Sequence, residues 1–166
     1  TQFVPASLER SIYVLCSSAA LLALMVCWQP LSGVVWSVQN EAMRMAIYGV
    51  FVLGWVILFL ATFLINHFDL FGLRQVWLQF TDRPYTPLNF GTPLLYRVVR
   101  HPLYVGWLLI FWAAPTMTAA HLVLAAGLSA YILIAIPIEE RDLMRMHREY
   151  AKYREQVPML VPRLLR

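Results

Sequence analysis

From Leu103 to Ile138 the chain carries no Asp, Glu, Lys or Arg. As one straight helix that stretch would measure about 54 Å, against a hydrocarbon core of about 30 Å. It must fold back on itself, and its only strong breaker is Ala114-Pro115-Thr116-Met117-Thr118. The pattern predicts a helical hairpin with a short first arm (Leu103 to Ala114) and a full second arm (Ala119 to Ile138). The short arm barely reaches across a bilayer, so other helices are expected to shield part of it. Two more uncharged runs precede the hairpin, Ser11 to Trp28 and Met45 to Ile65, each close to or above the length a bilayer demands. The chain is 60% hydrophobic and 13% charged, whereas a soluble domain has about 45–50% apolar and about 25% charged residues. That little charge cannot cover a compact globule. The expected fold class is an all-α integral membrane protein with about four transmembrane helices.

The 166 residues suit one domain, with residues 1–93 supplying the first spans and residues 94–166 the hairpin and a C-terminal helix. Pro30 to Glu41 reads as a turn-rich connector. Phe68 to Phe80 interleaves apolar positions with Asp69, Arg74 and Gln75 and reads as an interfacial helix anchored by Trp77. Thr81 to Pro93 holds Pro84, Pro87 and Pro93 and reads as an irregular loop. After Ile138, Glu139-Glu140-Arg141-Asp142 is expected to lead a separate amphipathic helix to about Gln156. The first residue is Thr1, which suggests that N-terminal helices precede this stretch. With four crossings, only Arg44 of the 13 Lys and Arg residues falls on the sparse side. The crowded side is then cytoplasmic, and the expected location is a bacterial inner membrane. The net charge of +4 flanks apolar runs rather than forming a soluble basic stripe, which argues against nucleic acid as a partner and leaves lipid. Cys16 and Cys27 would lie roughly 16 Å apart on one helix, too far for a disulfide. No zinc-type spacing occurs, so no metal is expected.

Three polar clusters gather at the crowded side: Tyr96 to Gly106 entering the hairpin, Glu139-Glu140 leaving it, and Asn66-His67-Phe68-Asp69 ending the second span. Because a hairpin brings its ends together, Arg100 and His101 should face Glu139 and Glu140. Ionisable groups at membrane depth are costly and tend to mark function. Blander roles suit each residue as well. Arg97 and Arg100 could snorkel to phosphate, His101-Pro102 could start a helix, Glu139-Glu140 could be a solvated helix entry, and His67 with Asp69 could be an interfacial cap. His121 reads as a helix-contact histidine and His147 as solvent-facing.

The run Arg100-His101-Pro102-x-Tyr104-x-Gly106, a hairpin and Glu139-Glu140 together resemble the C-terminal half of the isoprenylcysteine carboxyl methyltransferase superfamily. Within it, Asn66-His67-Phe68-Asp69-Leu70-Phe71-Gly72, Arg83-Pro84-Tyr85-Thr86-Pro87, Tyr153-Arg154 and Val157-Pro158-Met159 are similar to the bacterial methanethiol S-methyltransferases. The resemblance covers nearly the whole chain. It implies S-adenosyl-L-methionine bound between the hairpin and the C-terminal helix, with S-adenosylhomocysteine as product and a small thiol as substrate.

The residue types agree with that implication. Arg100 has the fork to clamp a carboxylate, and Glu139 or Glu140 can accept from an amine or ribose hydroxyls. Tyr96 and Tyr104 can stack on adenine or face a sulfonium, and the resemblance adds His101, Pro102 and Gly106 to the cofactor-binding set. A free alkyl thiol is mostly protonated at neutral pH, so a base is needed. His67 oriented by Asp69 is the candidate, which requires the helix to break at Asn66-His67. The catalytic set is then His67, Asp69 and Arg100. Competing readings are carboxyl methylation of a prenylated cysteine, and a non-catalytic membrane subunit or transporter. A transporter would place polar groups near the bilayer midplane, where these spans are nearly bare.

Overall fold

The structure is a computed structural model that describes residues 6–29, 31–65, 67–84, 86 and 91–163, without the side chains of residues 6, 7, 10, 67 and 70. Asn66, Tyr85, Pro87 and the side chain of His67, all named above, lie outside the described residues. In chain order the elements are α1 (Ala6–Cys27), β1 (Val34–Ser37), α2 (Glu41–Ile65), α3 (His67–Leu70), α4 (Leu73–Phe80), a 3-10 turn (Leu94–Arg97), α5 (Pro102–Trp112), β2 (Thr116–Thr118), α6 (Ala119–Met146) and α7 (Tyr150–Gln156).

Two of these helices, α2 and α6, are long and apolar enough to cross a membrane, with mean hydropathies of 2.4 and 2.1. Only 22% of each most apolar window is buried by the chain itself. The core helix of a soluble protein would be mostly covered, whereas Val52, Phe59, Tyr131 and Ile134 are exposed here. Such surfaces need an apolar solvent. The chain is a membrane protein. The apolar parts of α1 and α5 are shorter, Ser11–Cys27 and Pro102–Trp112.

The chain divides into two compact units, residues 1–29 with 62–89, and residues 30–61 with 90–166. In the first, α1 packs on α4, and Ser11 Oγ donates to the Gly72 carbonyl at 3.1 Å. Gly72 has φ 76°, a left-handed conformation that costs glycine little. That residue splits the expected continuous helix over residues 68–80 into α3 and α4.

The second unit departs from the all-α expectation at the hairpin turn. Residues 114–118 do not form a bare turn; they pair with the connector as an antiparallel ribbon, with Val34 opposite Thr118 and Ser37 opposite Thr116. Val38 N donates to Pro115 O at 2.9 Å, Ala119 N to Gly33 O at 3.0 Å and Trp36 Nε1 to Ala114 O at 3.1 Å. The physical reason is backbone satisfaction: polar groups freed between two helices need partners, and β-branched Val34, Val35, Thr116 and Thr118 suit strand geometry. Thr118 then caps α6 by accepting from His121 N at 3.2 Å. His121 Nε2 donates to the Phe111 carbonyl at 2.9 Å and joins the two arms, the helix-contact role expected of it.

The second arm also overruns its expected end. Helix α6 continues through Pro137 and Glu139-Glu140 to Met146 and stops at His147, which is extended and half-buried. Proline removes a single ladder bond, and the following Glu, Arg, Leu and Met residues are strong helix formers. A change from apolar to charged marked a change of surroundings, not of backbone. The expected single amphipathic helix to Gln156 is thus the end of α6 plus a separate α7.

Candidate active site

Pro102 occupies the first helical position of α5, where its missing N–H costs nothing and its fixed φ is already helical. This start delivers Arg100 and His101 at the open end of the hairpin, and α6 passes the same point with Glu139 and Glu140. Glu140 is 3% exposed. Its Oε1 accepts from Arg100 Nε at 2.8 Å and from His101 Nε2 at 3.1 Å, while Oε2 pairs with Arg154 Nε at 3.1 Å. Two guanidinium groups and an imidazole N–H thus converge on one buried carboxylate. The two hairpin ends meet, as their sequence positions predicted.

Arg100 does more than neutralise Glu140. Its Nη1 donates to the carbonyls of Arg154 at 2.8 Å and Val157 at 2.6 Å. The backbone N–H groups of Arg100 and His101 donate to Pro158 and Met159. The C-terminal segment is therefore stitched to the start of α5, and Arg100 Nε and Nη1 are engaged within the protein. Beside this, Tyr104 stacks on His101 with centroids 5.6 Å apart and donates from Oη to Glu139 Oε2 at 3.0 Å. Glu139 is half-exposed, and its Oε2 lies 3.9 Å from His101 Nδ1. One acid of the pair is buried and saturated; its neighbour faces outward.

Tyr96 is tied to the cluster through Tyr153, whose Oη donates to the Tyr96 carbonyl. The Tyr96 hydroxyl itself is enclosed and has no hydrogen-bond partner among the described residues. Burial first, then the nearby Glu139 charge and Tyr153, push its ionisation well above the ordinary tyrosine range. Tyr153 is pushed up to about 12, by burial first, with Arg100 pulling the other way and Glu140 adding to the rise. A phenol whose folded value exceeds its unfolded value stabilises the fold fully below about pH 10. That contribution is lost as pH rises towards about 12. The expected result is a fall in melting temperature between those limits, shallower in Tyr153→Phe. This variant should also lose about 1–3 kcal/mol at neutral pH by orphaning the Tyr96 carbonyl.

The remaining candidates have other partners. Gly106 lies not in the charge cluster but at a helix crossing, where its backbone meets Gly54 and Leu58 of α2. Asp69, in the first unit, accepts from Arg74 Nη1 at 3.1 Å and Gln75 Nε2 at 3.3 Å, and Arg74 also reaches the Thr86 hydroxyl. His67 lies in α3, separated from α2 by Asn66. Arg154 and Tyr153 are the contributors that residue-by-residue reading missed. The only signal was their place in a family-like segment, because a charge 14 positions beyond Glu140 and past a helix break has no periodic relation to it. An apolar groove of about 500 Å³ runs along α5. Val105, one turn along α5 from His101, lines it with Val50, Leu109, Trp112, Leu160 and Pro162.

The sequence has close relatives of known name. Over 163 residues, 98% of this chain, it is 54% identical to the methanethiol S-methyltransferase of Crocosphaera subtropica, covering 64% of that protein. It is 50% identical over 163 residues to the methanethiol S-methyltransferase of Mycobacterium tuberculosis, covering 98% of this chain and 67% of that one. The chain belongs to the methanethiol S-methyltransferase family. Methanethiol S-methyltransferase 1 of Bradyrhizobium diazoefficiens is 48% identical over the same share of this chain and 57% of its own. The chain thus spans about two thirds or less of the length of these family members. No family model matches the chain, and no solved structure matches it.

Proposed function

We propose that the protein to which this chain belongs transfers a methyl group from S-adenosyl-L-methionine to a small thiol, methanethiol above all, giving dimethyl sulfide and S-adenosylhomocysteine. The supporting observation is the Arg100–His101–Glu140–Arg154 cluster, with the outward-facing Glu139 and Tyr104, in a chain of this family. The proposed arrangement has four crossings of the bacterial inner membrane, an interfacial segment at α3 and α4, and the site on the cytoplasmic side. The arginine-rich segments then share that side.

The donor set fits the cofactor's polar parts. Glu139 offers a half-exposed carboxylate beside the Tyr104 hydroxyl, suited to an ammonium or ribose hydroxyls. The enclosed Tyr96 hydroxyl lacks a partner among the described residues, which suits a ligand atom. The bound cofactor supplies a methyl group on a cationic sulfur. Tyr96, Tyr104, Glu139 and the Arg100–His101–Pro102 corner would hold it; Glu140 and Gly106 would keep that corner in place. A dry pocket favours a reaction that joins a cation and a thiolate into neutral products. Arg100, His67 and Asp69 complete the proposed catalytic set, and the role of thiol base has two candidates, His67 and His101.

A second reading, carboxyl methylation of a prenylated cysteine, is favoured by one observation. The groove of about 500 Å³ has an apolar lining and far exceeds the volume of methanethiol. Full-length protein given S-adenosylmethionine and methanethiol should release dimethyl sulfide into the headspace. A methyl ester on a farnesylated cysteine peptide, with no sulfide, would instead select the second reading. Neither product, with no calorimetric binding of S-adenosylhomocysteine, would end the enzyme reading.

A further inference from the structure

We propose that His101 is the base of this reaction, taking the thiol proton at Nδ1 while the buried Glu140 holds its ring, a role that rests on the thiol methylation reading above. Glu140 already accepts on both of its oxygens. Each of its oxygens faces a guanidinium N–H, Arg100 Nε on Oε1 and Arg154 Nε on Oε2. A guanidinium keeps its proton, so both carboxylate oxygens are acceptors. The imidazole atom 3.1 Å from Oε1 is Nε2, and it must therefore be the donor. A neutral His101 is fixed as the Nε2–H tautomer, leaving a bare lone pair on Nδ1. This is how an acid orients a histidine base in nucleophilic catalysis generally.

Nδ1 faces a second carboxylate, Glu139. Among the described residues, the charged and titratable groups that touch the ring or its carboxylate are Arg100, two residues before α5, Tyr104 from α5, Glu139 and Glu140 from α6, and Arg154 from α7. Two cations and two anions cancel, so a neutral ring sits in a balanced cage. A proton arriving on Nδ1 meets Glu139 Oε2, 3.9 Å away, and the imidazolium is then bracketed by a carboxylate at each nitrogen. Glu139 is half-exposed, which gives the proton an exit to solvent. In the step itself the thiol S–H bond breaks, its electron pair stays on sulfur, and an N–H bond forms at Nδ1. The thiolate pair then forms the new S–CH₃ bond, and the electrons of the broken C–S bond remain on the donor sulfur.

The test compares two thiols in full-length protein carrying His101→Gln, with S-adenosylhomocysteine binding measured alongside. With methanethiol, largely protonated at neutral pH, kcat/KM should fall about 10²–10⁴-fold. With an acidic aryl thiol, already ionised, most of that loss should vanish, and the methanethiol rate of the variant should climb with pH as free thiolate forms. Equal loss on both thiols, or no loss on either, overturns the assignment. A thiol-selective loss in His67→Gln and not in His101→Gln also overturns it and gives the role to His67. Should His101→Gln fail to fold, ¹⁵N spectra of histidine-labelled wild-type protein decide. A proton on Nε2 with a bare Nδ1 is required, and the opposite tautomer ends the proposal. Wild-type protein that methylates neither thiol would instead sink the underlying thiol reading, a different result from a base variant that loses both.

Discussion

Glu140→Leu should lower the stability of the protein by about 3–5 kcal/mol, the cost of breaking a buried ion pair from one side. Glu140 is 3% exposed and holds Arg100, His101 and Arg154 at once. Removing it leaves one guanidinium, with a side chain only 10% exposed, facing another with no anion between them. Glu140→Gln should cost less but still be harmful, because its amide nitrogen is a donor placed among donors. Replacing Arg100, Glu140 and Arg154 together by apolar residues should recover only part of the loss. Arg100 Nη1 also satisfies the carbonyls of Arg154 and Val157, and no apolar side chain can do that. Thermal unfolding in detergent measures the stability change. Limited proteolysis locates it: the C-terminal segment should be cut first in Glu140→Leu, since its anchorage runs through Arg100. Retained stability with an uncut tail would show that the network carries little of the fold.

What could be read from the sequence followed from solvent and geometry. A charge-free stretch too long for one crossing must turn, so the meeting of Arg100 and His101 with Glu140 was legible from positions alone. The ribbon between residues 34–37 and 116–118 was not, because each strand is very short and neither has the period-two alternation that marks a strand. The end of α6 was not legible because polarity changes at Glu139 while the backbone stays helical to Met146, carried by Glu, Arg, Leu and Met. Arg154 was missed for a third reason. Its contact with Glu140 crosses a helix break at His147, and helical periodicity says nothing across such a break. Charge pairing inside a hairpin is predictable; charge pairing onto a separately folded tail is not.

Gly106→Leu should displace α5 from α2, and Gly106→Ala alone should cost about 1–3 kcal/mol through overpacking. A Cβ at position 106 would sit 2.8 Å from the Gly54 carbonyl, 2.9 Å from Leu58 N and 3.0 Å from Leu58 Cβ. The first two are backbone atoms and cannot rotate aside. The contact is reciprocal, since a Cβ at Gly54 would meet Gly106 O, Ile110 Cγ1 and Leu109 Cβ at 3.0 Å. Small residues that let helix backbones touch are the usual means of association in lipid, where burial of apolar surface supplies no drive between helices. Around the crossing, Trp55 of α2 packs on Trp107 of α5 at 6.1 Å, and Phe59 and Phe111 extend the aromatic layer. A side chain at 106 would wedge that layer open. Gly49→Ala and Gly127→Ala make the comparison, because a Cβ at either helical position meets nothing within 4 Å. Both should be neutral, or stabilising by up to about 1 kcal/mol from helix propensity. The cofactor-shaping role implied for Gly106 predicts something else: weaker S-adenosylhomocysteine binding with no change in the stability of the ligand-free protein. Unfolding of ligand-free Gly106→Ala therefore separates the two roles, and a loss there, matched by Gly54→Ala and absent from Gly127→Ala, assigns the glycine to the helix crossing.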